Sequence, residues 1–85
     1  MQPNAAQQFE LGLSLHREGR LGLAESHYLR TVKLDPAHAE AWHLLGVVAM
    51  QGGQVPKAIK HFRQSLALRP RFAQAWNNLA LALKA

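Results

Sequence analysis

The stretch AEAWHLLG at residues 39–46 returns, loosened, as AQAWNNLA at 73–80, each letter thirty-four residues from its echo. Sliding residues 5–51 over 39–85 aligns twelve identities: Ala5, Leu11, Gly12, Gly19, Ala24, His27, Leu34, Pro36, Ala39, Ala41, Trp42 and Leu45 each match the residue 34 further on. Average residue usage would produce roughly three or four. Several of the remaining pairs are conservative, as in Tyr28/Phe62, Thr31/Ser65 and Val32/Leu66. A period of this length belongs to arrays of stacked helical units, none of which can bury its apolar face alone.

Two helical stripes run through each period. Leu11, Gly12 and Leu15, then Trp42, Leu45, Gly46 and Ala49, keep the spacing of three and four that lines one face of a helix. Past the breakers Gly19 and Gly52-Gly53, a second stripe follows: Ala24, Tyr28, Thr31 and Val32, then Ala58, Phe62, Ser65 and Leu66. Glycine tolerates the left-handed conformation that stops a helix and turns the chain back on itself. Asn4 with Gln7 resembles a capping box, and Asp35 is expected to cap a helix that starts at Pro36. Arg69-Pro70 keeps the proline without the capping acceptor. The spacing thus predicts an all-α chain of five helices, near 5–18, 22–34, 37–51, 55–68 and 71–84.

Trp42, Leu45, Gly46, Ala58, Phe62 and Pro70 stand at the spacings W-x2-L-G…A-x3-F…P, and the sequence resembles the tetratricopeptide-repeat family. The first period carries Leu11, Gly12, Ala24, Tyr28 and Pro36 but has Gln8 in place of the Trp; the third carries Trp76 and Leu79, with Ala80 in place of Gly. The resemblance implies an α-solenoid of antiparallel hairpins, with one repeat at 5–38, a second at 39–72, and the first helix of a third at 73–85. Gly12, Gly46 and Ala80, with Ala24 and Ala58, are expected where paired helices approach closely, and Trp42 and Trp76 are expected in the core.

Composition narrows the function. There are no cysteines, hence neither a disulfide framework nor a thiolate zinc site. Met1 is followed by Gln, Pro and Asn, no basic and apolar leader, and no apolar run approaches the ~20 residues of a membrane span. A cytoplasmic location with no membrane partner is expected. Ten Lys/Arg against five Asp/Glu give a net charge of +5, but the cations are scattered, as expected of a solvated surface.

No catalytic constellation emerges. Ser14, Ser26 and Ser65 lie inside helical stripes and outside any G-x-S-x-G elbow. Gly52-Gly53 lacks the following Lys-Ser/Thr that would cradle a phosphate. His38 and His43 fall about 140° apart around a helix, and His27 and His61, at equivalent places, have no acidic partner nearby in sequence. No enzyme activity, cofactor or metal is expected.

What the resemblance implies instead is a protein-interaction module whose first helices line a concave groove for a peptide or helical segment. In the repeat's register that groove comprises Phe9, Leu13 and Arg17; His43, Leu44, Val47 and Met50; and Gln74, Asn77, Asn78, Leu81 and Lys84. Much of it is apolar, and an exposed apolar patch usually has a use. The Lys/Asn/Arg clamp with which some family members hold acidic chaperone tails is not implied, since its places hold Phe9, Leu13, Leu44, Gln74 and Asn78. AWNNLALALK at 75–84 is also similar to the repeats of O-linked N-acetylglucosamine transferases, where an Asn ladder grips substrate main chain. Asn78 fits that ladder; Glu10 and Leu44 do not. The fifth helix is expected to leave Trp76, Leu79 and Leu83 uncovered and to self-associate through them into a homo-oligomer. Two alternatives stand beside the interaction module: a repeat segment of a larger glycosyltransferase-like protein, and a nucleic-acid-binding repeat using Lys57, Lys60 and Arg63.

Overall fold

A computed structural model describes residues 2–85. Five helices follow one another: α1 (Ala5–Arg17), α2 (Leu21–Leu34), α3 (Ala39–Gln51), α4 (Val55–Leu68) and α5 (Ala73–Lys84). α1 pairs with α2 and α3 with α4 as antiparallel hairpins, while α2 packs on α3 and α4 on α5. The all-α solenoid expected from the sequence is the observed architecture.

The hairpin turns rest on glycine where the backbone demands it. Gly19 (φ 77°) and Gly53 (φ 75°) sit in the left-handed region at equivalent places of the two hairpins. α1 opens on the expected capping box, in which the Asn4 side chain accepts the Gln7 N–H and Gln7 Oε1 accepts the Asn4 N–H, both at 2.8 Å.

The start of α3 departs from expectation. Its N-cap is His38, whose Nδ1 accepts the Ala41 N–H at 3.1 Å, and not Asp35. Asp35 ends α2 with φ −138°, the extended geometry that a following proline favours. Pro36 then occupies the second position of a turn closed by the His38 N–H donating to the Asp35 carbonyl at 3.1 Å. The same turn recurs before α5, where the Phe72 N–H donates to the Arg69 carbonyl at 3.1 Å. Proline is thus a turn residue in each period, and the helix starts three residues after it.

The core is one cluster built twice. Ala24, Tyr28, Val32, Ala41, Leu45 and Val48 are buried together, as are Ala58, Phe62, Leu66, Ala75, Leu79 and Ala82, each residue 34 beyond its counterpart. Ala41, Leu45 and Val48 of α3 face back onto the first hairpin, while Ala49 joins the second cluster. Buried on both sides, α3 is apolar nearly all round, as a central helix must be.

Close approach is concentrated at two glycines. A Cβ on Gly12 would lie 2.6 Å from the Tyr28 ring, and one on Gly46 would overlap the Phe62 ring. Ala24 and Ala58 are fully buried opposite.

The tryptophans correct the expectation of two core residues. Trp42 is only partly buried against the first cluster, and Trp76 is 53% exposed. Their common role is to fasten the turn: Trp42 Nε1 donates to the Pro36 carbonyl at 2.9 Å and Trp76 Nε1 to the Pro70 carbonyl at 2.7 Å.

Candidate protein-interaction surface

The first helix of each period, α1, α3 and α5, contributes one strip of a shared wall. Consecutive strips are joined by side-chain hydrogen bonds between residues 35 apart. Gln51 Oε1, an acceptor only, receives a hydrogen bond from His16 Nε2 at 2.7 Å, so His16 Nδ1 accepts from the Tyr28 hydroxyl at 2.9 Å. Burial raises the Tyr28 pKa to about 12, against a lowering by Arg17, and the hydroxyl keeps its proton. One repeat on, Asn78 Nδ2 donates to His43 Nε2 at 2.8 Å. That bond needs a neutral imidazole, and burial holds the His43 pKa below its ordinary value, opposed by Glu40.

Two of the candidate groove residues sit beneath this wall. Phe9 is buried, its ring centroid 5.9 Å from Tyr28 and 4.6 Å from His38. His43 is buried 4.8 Å from Phe72 and 5.7 Å from Phe62. These are one arrangement with its members exchanged: Phe9 faces His38 in the first period, and His43 faces Phe72 in the second. Each keeps one imidazole and one benzyl ring at the junction between hairpins. The shared slot was hidden from sequence comparison because neither position matches by identity.

The remaining candidates lie nearer the surface. Leu13, Leu44, Val47, Met50 and Asn78 are partly buried, while Arg17, Gln74, Asn77, Leu81 and Lys84 are exposed. Leu13, Val47 and Leu81 hold the same place in three successive periods and form an apolar stripe across the strips. His16 and Gln51 are additions that the sequence did not single out. Their signal is the spacing of 35, shared with His43 and Asn78, which joins neighbouring first helices.

At the α5 edge, Trp76 and Leu83 are 53% and 56% exposed, whereas Leu79 is buried. The expectation that Leu79 would be uncovered is corrected: like Leu45, it faces back, here onto α4. The opposite edge differs in character. Where α3 and α5 bury Ala41, Leu45, Val48 and Ala75, Leu79, Ala82, α1 has Gln7, Leu11 and Ser14, which line an open depression on its outward face.

His27 and His61 occupy equivalent places but different surroundings. His27 Nδ1 donates to Gln8 Oε1 at 2.7 Å. In the next period Trp42 replaces Gln8, its ring 5.7 Å from that of His61, and neither His61 nitrogen has a hydrogen-bond partner. Among the described residues, no three His, Cys, Asp or Glu side chains gather as a metal site, and no helix is long and apolar enough to cross a membrane.

The family model of the tetratricopeptide repeat matches residues 9–70 and again 43–83. A crystal structure of MamA superposes with a TM-score of 0.93 at 25% identity, over 95% of this chain and 47% of that one. A second, of MamA protein, gives 0.92 at 25% identity, over 95% and 44%. The chain therefore spans less than half the length of these structures. No curated protein matches it.

Proposed function

The chain belongs to the tetratricopeptide-repeat family, and from that premise we propose that it binds a peptide or helical segment of a protein partner along the wall formed by α1, α3 and α5. Repeats of this kind serve as scaffolds for protein interaction through extended concave surfaces. The finer reading assigns residues 5–38 and 39–72 to two repeats and 73–85 to the first helix of a third.

The observation that carries this reading is the stripe Leu13, Val47 and Leu81, apolar at one repeated place and at least partly open in all three periods. Leu44 and Met50 widen it, and a flexible thioether adapts to varied partner shapes. Asn77 and Gln74 stand exposed beside it, with amides able to hydrogen-bond a partner's main chain. Phe9 and His43 support the wall from below and need not touch the partner. The wall is bound together by His16–Gln51 and His43–Asn78, so a partner meets a surface already ordered, which lowers the cost of binding.

The test uses peptides selected from a random library against the immobilised protein, titrated against the wild type and a Val47→Glu, Leu81→Glu variant. Leu81 is exposed and Val47 partly buried against the second cluster, so both substitutions bring a carboxylate into the stripe and helicity is measured on the variant. The dissociation constant should rise at least about ten-fold, a loss of roughly 1.4 kcal/mol, with unchanged helicity. Equal affinity for both proteins would place the binding surface elsewhere.

The same reading includes self-association through Trp76 and Leu83. Burying two such side chains would contribute roughly 1.5–3 kcal/mol each, and a two-fold pairing of α5 with its copy would cover both at once.

A further inference from the structure

Charge is divided between the two layers of the array. α2 and α4 together carry Arg30, Lys33, Lys57, Lys60 and Arg63 against the single carboxylate of Glu25. α1, α3 and α5 carry Arg17 and Lys84 against Glu10 and Glu40, and are neutral. The second helices, on the face opposite the proposed groove, therefore hold most of the net charge of +5. Glu25 is taken up by Lys57 at 2.7 Å. Among the described residues, no carboxylate pairs with Arg30, Lys33, Lys60 or Arg63, and all four are exposed.

This basic face is also apolar, and in an ordered way. The outward places held by Lys57, Lys60 and Arg63 on α4 are held on α2 by Leu23, Ser26 and Leu29. Leu23, Leu29 and Leu34 are about half exposed, at 45%, 44% and 56%. Their inward neighbours Ala24, Tyr28, Thr31 and Val32 fill the core, and about half of each of these leucines is left facing solvent. Leu23 and Leu29, with Arg30 and Lys33, thus stand on α2 beside Lys57, Lys60 and Arg63 on α4.

We propose that this outer face adsorbs to an anionic lipid surface, with Leu23 and Leu29 entering the headgroup region while Lys60 and Arg63 meet lipid phosphates. Apolar insertion combined with attraction to anionic lipid is the pairing that holds amphipathic helices at an interface. A phosphodiester backbone would use the cations but gain nothing from the leucines. That no helix among the described residues is long and apolar enough to cross a membrane bears on crossing a bilayer, not on resting against one. The groove would remain free on the opposite side.

The experiment is co-sedimentation with vesicles of phosphatidylcholine alone and of phosphatidylcholine mixed with phosphatidylglycerol, at physiological ionic strength, beside a duplex DNA titration. The wild type should bind the mixed vesicles and not the neutral ones. Lys60→Glu with Arg63→Glu should lower the partition coefficient more than about ten-fold, since each cation near an anionic surface adds to the attraction. Leu23→Gln with Leu29→Gln should lower it several-fold at unchanged charge. Val47→Ser with Leu81→Ser should leave it unchanged, which separates this surface from the groove. Helicity measured on each variant confirms the fold, and Leu29→Gln alone serves if the leucine pair does not retain it. No binding to mixed vesicles, or binding indifferent to the leucines, would overturn the proposal. So would DNA affinity equal to vesicle affinity, which would favour a nucleic acid instead.

Discussion

A methyl group added to Gly46 would be driven into the ring of Phe62, and one added to Gly12 into the ring of Tyr28. Overpacking of a tight core costs about 1–3 kcal/mol, so Gly46→Ala and Gly12→Ala should each lower the unfolding free energy measured in urea melts by that much. Gly22 is the internal control: nothing lies within 4 Å of its notional Cβ. Gly22→Ala should therefore be neutral or slightly stabilising. Helix propensity alone favours Ala at both places, so equal changes at Gly22 and Gly46 would remove the ring contact from the account. His61 makes a second prediction at this scale. Burial, with Lys57 and Lys60, holds its pKa below the ordinary 6.5, Glu25 opposing, and burial does the same at His43. The unfolded chain therefore binds more protons than the folded one below pH 6.5, and stability must fall as the pH drops through that value. His61→Leu should flatten part of that decline in pH-dependent urea melts; an unchanged slope would remove His61 from the account.

Helices differ in how many sides are covered, and that ordering was partly legible. The 34-residue echo is enough to place five helices: six of the ten observed bounds coincide with the expected ones and the other four differ by one or two residues. The main local error was the start of α3, where Asp35-Pro36 mimics a cap followed by a first helical proline. The sequence contains that pattern, but a four-residue turn, Asp35 to His38, uses the proline first, and His38, a less usual cap, takes over. Direction was harder to read than existence. Periodicity shows that Leu79 lies on an apolar face without showing that the face turns back onto α4. Of the candidate wall, the apolar stripe followed from register, whereas the burial of Phe9 and His43 depended on partners 29 residues away in sequence (His38 and Phe72 respectively). Coverage itself predicts dynamics. α3 is packed from both sides, while α5 rests on α4 and touches α3 slightly. Native-state hydrogen exchange should find the slowest amides in α3 and the fastest helical ones in α5. Comparable protection in α5 would imply a cover supplied by another molecule.

At the scale of the whole molecule, three surfaces have distinct chemistry: a neutral inner wall with an apolar stripe, a basic outer face, and an apolar edge at α5. The edge makes a prediction independent of the other two. Sedimentation equilibrium at high micromolar concentration should show concentration-dependent mass, reduced to that of a monomer by Trp76→Glu with Leu83→Glu. A strict wild-type monomer would count against self-association while leaving the wall untouched. The wall is the central claim, and amide chemical-shift mapping during titration with a selected peptide tests it most directly. The account predicts shifts clustered at Leu13, Leu44, Val47, Asn77 and Leu81, with α2 and α4 unmoved. Shifts confined to α2 and α4, with those five residues silent, would contradict it.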